Sequence, residues 1–220
     1  MAVASEETRE PVILSNRWNR PLQRASKRVL DVLLSALLLV LVAPLILVLS
    51  VLVKLTSPGP AFYPWKVVGK NGRRFTGYKI RSMVLNADEL KKQLEHRNEM
   101  TGPVFKIEGD PRITAVGSWM RRYSLDELPQ LYSVLKGDMS LVGPRPPLFT
   151  EYERFTESQK QKLAVKPGIT CLWQISGRNR VSDFDEWVRL DLEYIRCWSL
   201  WLDLRILLGT CGAVLSGSGK

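Results

Sequence analysis

The chain has 220 residues, 45% of them hydrophobic, and a formal net charge of +10. That length supports one compact domain with an appendage, and the charge calls for an anionic partner: nucleic acid, an anionic membrane surface or phosphorylated substrates. Cys171, Cys197 and Cys211 lack paired spacing and His96 is the only histidine, which excludes a disulfide framework, a zinc site, a histidine-based nucleophilic triad and a histidine-rich metal site.

Residues 1–20 are polar and unpatterned, and segment 1–25 is expected to be flexible. Val32 to Val53 is an uncharged run of 22 residues, about 33 Å long as a helix and enough to cross a bilayer core. It starts too late and runs too long for a cleaved signal peptide, and no small-residue cleavage site follows. Pro44 lies at its middle, where a missing N–H and a steric clash kink or break a helix. Residues 1–28 carry six basic and three acidic side chains; residues 54–81 carry seven basic and no acidic ones. Cytoplasmic flanks are the ones enriched in Lys and Arg, so two basic flanks favour a re-entrant segment over a simple span. Asp31, at the mouth of the segment, is expected to pair with a basic neighbour such as Lys27 or Arg28.

Thr56–Tyr63, "TSPGPAFY", is a turn cluster closing this segment. Two short strands are predicted around Asn71-Gly72, a strong hairpin dipeptide. Asn86 to Glu99 reads as a polar helix and "GDPRITAVG" as a turn with a short extended piece. A helix is predicted over Ser124 to Leu135, a shaped loop at Gly143–Pro147, a polar helix over 151–164 and another loop at "VKPGIT". Val181 to Tyr194 is an amphipathic helix. Trp198 to Leu215 reads as a helix lying in a membrane interface or, alternatively, buried in the core.

The string from Met120 to Pro146 carries the chemistry. Ser124 and Glu127 match a capping box, a purely structural explanation. Pro129 argues against it, because with Ser124 as N-cap the proline falls where its missing N–H costs a hydrogen bond. A helix starting near Asp126 avoids this. Either way Asp126 stands at a positive helix end beside Arg121 and Arg122, which should keep it ionised and able to attack phosphorus. Glu127 supplies an oxygen ligand for Mg²⁺, and Arg121 and Arg145 suit phosphate oxygens.

These residues carry a resemblance. "KRVLD" (27–31), "TSPGPAFY" (56–63), "GYKIRSM" (77–83), "DPRIT" (110–114), "SLDELPQL" (124–131), "LKGDMSLVGPRP" (135–146), "KPGIT" (166–170) and "SGRN" (176–179) resemble, in order and spacing, the bacterial sugar transferase family. These are small monotopic polyprenyl-phosphate glycosyl-1-phosphate transferases. The resemblance implies a mainly helical α+β fold: a re-entrant membrane helix over 26–55 broken at Pro44, then a catalytic domain over 56–216 with short strands and interfacial helices. It implies that Asp126 attacks a UDP-sugar, that UMP leaves, and that polyprenyl phosphate then takes the sugar-phosphate, as in the first membrane step of exopolysaccharide assembly. Glu127 would bind Mg²⁺, and Lys79, Arg81, Gln174 and Arg178 lie in matching motifs. The implied place is the cytoplasmic face of the bacterial inner membrane; the oligomeric state stays open. The insert 96–114 resembles members that transfer an unmodified hexose phosphate, in a form without an upstream transmembrane bundle. The sequence departs from the family where Ala43 replaces a serine before Pro44 and Cys171 replaces a glycine. A membrane-anchored lipid-binding module would leave Asp126 and Glu127 idle. No nucleic-acid partner is expected, because the strongest basic run abuts the apolar segment.

Overall fold

A proline at the first helical position has no intrahelical N–H to lose, and Pro21 fixes the start of the long helix this way. In the computed structural model, which describes residues 16–176 and 182–217, helix α1 runs from Pro21 to Thr56. It therefore begins ahead of the expected boundary at residue 26, after a 3-10 turn at Asn16–Asn19. Trp18 in that turn stacks on Trp198, ring centroids 4.1 Å apart, and donates to the Ile195 carbonyl, so residues 16–25 are not a free leader. Residues 1–15 of the segment expected to be flexible lie outside the described residues.

The expected break at Pro44 is not an interruption of the helix. α1 is continuous for 36 residues with Pro44 inside it. Pro44 cannot donate to the carbonyl four residues back, but one missing bond does not end a helix whose two flanks are both fixed. On the N-terminal flank, Lys27 donates to Asp203 (2.7 Å) and to the Val142 carbonyl. Arg28 donates to the Val134 and Leu135 carbonyls. Asp31 accepts from the Ser140 hydroxyl and the Leu141 main-chain N–H, not from the basic neighbour expected for it. On the C-terminal flank, Leu49 and Val53 are buried against Ile80 and Met120. Arg81 donates there to the Ser57 and Pro58 carbonyls just past the helix end.

The inward positions of α1 are Asp31, Ser35, Leu39, Val42, Ile46, Leu49 and Val53. Their spacing of three and four places them on one stripe. The opposite stripe, including Leu33, Leu37, Val40, Leu47, Val51 and Leu55, is exposed. By length and composition α1 could cross a membrane, yet it lies against one domain along its length.

The domain is mainly helical with short strands, as expected. β1 (Phe62–Val68) and β2 (Arg74–Ile80) pair antiparallel from Phe62↔Ile80 to Val68↔Arg74. Asn71 and Gly72 turn between them at φ 55° and 79°, the left-handed conformation this dipeptide favours. The expected helix over 86–99 divides into α2 (Ala87–Leu94) and a 3-10 turn at Glu95–Arg97 that carries the exposed His96. Within "GDPRITAVG" the turn and a short extended piece at Ile113, which bridges Met83, are present, but its last residues already belong to an unexpected helix, α3 (Ala115–Arg122), capped by the Thr114 hydroxyl on the Gly117 N–H. A Cβ on Gly117 would meet the Ser82 carbonyl oxygen at 2.0 Å, so only glycine lets α3 approach β2's end this closely.

α4 (Gln130–Lys136) follows, then β3 (Ser140–Val142). The expected helix over 151–164 is broken into α5 (Phe149–Tyr152), α6 (Glu157–Lys160) and a 3-10 turn at Gln161–Ala164. The "GIT" of the expected loop is β4 (Gly168–Thr170), parallel to β3. α7 (Leu172–Ile175), α8 (Phe184–Cys197) and α9 (Leu200–Leu215) complete the chain. One core gathers Trp65, Val134, Met139, Tyr194, Trp198 and Ile206. A second joins Met100 and Val104 of the 96–114 insert to Trp173, Phe184 and Trp187. α9 buries Asp203 and Ile206 but exposes Trp201, Leu204, Leu208 and Leu215 on one face.

Breaking the buried Lys27–Asp203 pair with Lys27→Met leaves an uncompensated carboxylate, which costs about 3–5 kcal/mol. Denaturant unfolding in detergent should show that loss. Adding Asp203→Asn should recover part of it, because no unpaired charge is then buried.

Candidate active site

Arg121 lies in the last turn of α3, and the chain then reverses through Ser124, which has φ 54° and ψ 25°. A non-glycine residue in this left-handed region costs about 1–3 kcal/mol. The turn it makes leads into the 3-10 segment Leu125–Glu127, and Pro129 then serves as N-cap of α4. Neither helix-start reading of this stretch survives intact. Ser124 makes no side-chain cap bond, so the capping box is absent. The chain instead spends Asp126 and Glu127 in a separate turn, with the proline at a helix start where a missing N–H is harmless.

Asp126 is 6% exposed and faces β2. Lys79 of β2 reaches Glu127 Oε1 at 2.7 Å and sits 4.2 Å from the centre of the Trp65 ring. Arg121 donates to the Ser82 hydroxyl at 2.9 Å, which aims its guanidinium past the end of β2. The expectation that a helix end and two arginines hold Asp126 ionised is reversed in the protein alone. Burial pushes its carboxyl up, the Glu127 charge pushes it further, and Lys79, Arg121 and a main-chain N–H recover only part of that. Arg122 points to solvent.

Gln174 accepts from the Cys171 N–H at 3.0 Å, closing the first turn of α7, and lines an apolar cavity of about 210 Å³ whose wall includes Ser124 and Glu127. Arg81 is 6% exposed and engaged with the end of α1, so the structure gives it an architectural place. Arg145 lies over the Trp187 ring at 5.7 Å, beside Asp191. Arg178 lies outside the described residues. Cys171 is buried and its thiol is pushed well up by burial and by Asp191, which suits a packed side chain and not a nucleophile.

Sequence reasoning missed the support beneath Arg145. Lys162 and Asp191 form a buried ion pair at 2.5 Å, and the Arg145 main-chain N–H is directed at Asp191. The loop above is held closed where a Cβ on Gly168 would meet the Gly143 nitrogen at 2.1 Å. Lys162 and Asp191 stand in ordinary amphipathic stretches, so no local signal marks them.

A buried carboxylate next to a half-buried one, with a lysine and an arginine close by, is a site suited to phosphoryl transfer: an acyl phosphate can form on one carboxylate while the cations offset the phosphate charge. The chain belongs to the bacterial sugar transferase family, whose match covers residues 22–217. It is 56% identical over 161 residues to the galactosyl transferase CpsE of Streptococcus agalactiae, 73% of this chain and 36% of that protein. It is 44% identical to the undecaprenyl-phosphate galactose phosphotransferase of Salmonella typhimurium, over 94% of this chain and 44% of the relative. The exopolysaccharide production protein ExoY of Sinorhizobium fredii is 41% identical over 91% of this chain and 90% of its own length. The chain thus spans less than half the length of the first two relatives.

The raised Asp126 carboxyl makes a stability prediction. The fold disfavours the ionised form, so the cost is fully present above the raised folded value and vanishes below the unfolded carboxyl value of about 3.9. Asp126→Asn should therefore raise the melting temperature at pH 7.5, with the gain shrinking toward zero near pH 3.5.

Proposed function

We propose that this chain transfers a hexose-1-phosphate from a UDP-hexose to a polyprenyl phosphate on a membrane surface, through a covalent aspartyl-phosphosugar on Asp126. The observation that carries the reading is the buried Asp126 beside the half-buried Glu127, with Lys79 paired to Glu127 and the Arg121 charge felt at Asp126. The names of the galactosyl and undecaprenyl-phosphate galactose relatives support the substrate classes.

A carboxylate oxygen of Asp126 attacks the β-phosphorus of the UDP-sugar. The bond from that phosphorus to the bridging oxygen breaks, and UMP leaves with the oxygen. A phosphate oxygen of the polyprenyl phosphate then attacks the same phosphorus. The bond to Asp126 breaks and its carboxylate is regenerated. Lys79 and Arg121 offset charge on the transferring group, and Arg145, held by its proline-flanked loop, offers a further phosphate contact. Burial of Asp126 withholds water from the acyl phosphate between the two steps.

Two neighbouring carboxylates fit Mg²⁺ that arrives with a diphosphate, since this ion usually binds through one or two carboxylates plus substrate phosphates. The mutual repulsion of Asp126 and Glu127 is what such a cation relieves. Glu127 is the residue proposed to hold it, and the ion would supply charge neutralisation to the diphosphate.

The membrane reading rests on α1. Its exposed stripe is apolar, its two ends are tied to one domain, and α9 exposes Trp201, Leu204 and Leu208. That arrangement supports the proposal of a monotopic placement, with both flanks on the cytoplasmic side of the bacterial inner membrane. Cysteine reporters placed near residues 20 and 70 should both resist labelling from outside intact cells; external labelling of either one excludes this placement.

With UDP-galactose or UDP-glucose, Mg²⁺ and undecaprenyl phosphate, the protein should release UMP, and Asp126→Asn should abolish that release. Because Asp126 must be deprotonated to attack, UMP release should fall off on the acid side as its carboxyl takes up a proton. Wild-type turnover by Asp126→Asn would sink the covalent route.

A further inference from the structure

The cavity beside Glu127 has a lining unlike that of a sugar or nucleotide pocket. α1 contributes Leu38 and Val42, the turn before α4 contributes Tyr123, Leu125 and Leu128, and Leu131 and Ile169 close the wall. α9 supplies Thr210, Ala213 and Val214 on the far side. Several of its few polar groups are already engaged. Thr170 and Thr210 bond to each other at 2.6 Å, Thr210 donates back to the Ile206 carbonyl, and the Gln174 carbonyl oxygen is taken by Cys171. A hexose or a uracil placed here would bury hydroxyls and amides without partners, at a cost of several kcal/mol each. Its charged edge is formed by Ser124 and Glu127, and that edge adjoins Asp126.

We infer that this cavity receives the first isoprenyl units of the acceptor, with the lipid phosphate at the Glu127 edge and the chain running between α1 and α9. The inference rests on the functional reading above and adds the acceptor's path to it. Three observations commit the cavity to this occupant. It is the apolar space that adjoins the carboxylate pair. Two of its walls are helices whose outer faces, Leu37 and Leu41 on α1 and Leu208 and Leu215 on α9, are exposed and apolar, so it lies between the surfaces most able to enter a bilayer. Its volume, 210 Å³, exceeds the roughly 150 Å³ that takes a six-carbon ring and suits one to two five-carbon units. A second apolar cavity, lined by Leu30, Leu34 and Leu204 around the Lys27–Asp203 pair, touches neither Asp126 nor Glu127 and serves as a control.

Filling the cavity tests the assignment. Val42→Trp and Ala213→Trp should each raise KM for undecaprenyl phosphate about tenfold or more, the scale set by losing a small apolar group's fit. UMP release in the absence of acceptor should stay at the wild-type level, as should both parameters in the control Leu34→Trp. In the wild type, geranyl phosphate should compete with undecaprenyl phosphate, whereas a phosphatidate should not. A diazirine analogue of geranyl phosphate should label peptides containing residues 38–42 and 210–214, a readout that stands even where a tryptophan variant fails to fold. An unchanged acceptor KM in folded variants, labelling confined to other peptides, or competition by phosphatidate overturns the assignment. So does loss of acceptor-free UMP release with a raised UDP-hexose KM, which would make the cavity a donor site. Absence of UMP release from the wild type with every UDP-hexose is the separate result that overturns the functional reading itself.

Discussion

The buried contact between Lys27 and Asp203 ties the apolar helix to the domain that carries the carboxylate pair. Lys27 also reaches the Val142 carbonyl, and Asp203 accepts from the Tyr194 hydroxyl and the Trp198 indole. Taking two charges out of water is expensive, and such a pair persists only where further hydrogen bonds satisfy it. Here they come from β3, α8 and α9 together, so the pair closes only when all of these elements are in place. Asp31, one turn along α1, repeats the logic on Ser140 and Leu141. The result fixes one face of an otherwise all-apolar helix toward the domain and leaves the other free.

That orientation organises the site. With α1 seated, Leu38 and Val42 complete the wall beside Glu127, while Leu49 and Val53 brace Ile80 and Met120 near the ends of β2 and α3. Those two elements present Lys79 and Arg121. The carboxylate pair thus sits between a cationic wall on one side and an apolar wall on the other. Burial raises the carboxyl of Asp126 and the cations draw it partly back, so its charge state is set by elements distant in sequence. A phosphorylated lipid has the same two-sided character: a charged end and an apolar chain.

Several roles were redistributed by packing. Arg81 and Arg121 both stand in basic motifs, but Arg81 turns toward the end of α1 and Arg121 toward Asp126. Arg145 projects over Trp187 from a loop whose floor is the Lys162–Asp191 pair. The 96–114 insert, read as a substrate feature, packs Met100 and Val104 into the second core.

Local chemistry alone determined a good part of this protein. The apolar run marked α1, Asn71-Gly72 marked the hairpin, and the order of motifs around Asp126 marked the family. These are legible because turn conformations and apolar length depend on neighbouring residues only. Helix α3, strand β4 and the turn holding Asp126 and Glu127 were misread, because each is set by contacts with chain far away: Gly117 on Ser82, Gly168 on Gly143, and β2 on the turn. The tertiary structure also decided that Pro44 does not end its helix, that Asp126 is raised instead of lowered, and which basic residues face it. The physical reason is common to all three. Desolvation and charge proximity are properties of a packed neighbourhood, and no window of sequence contains that neighbourhood.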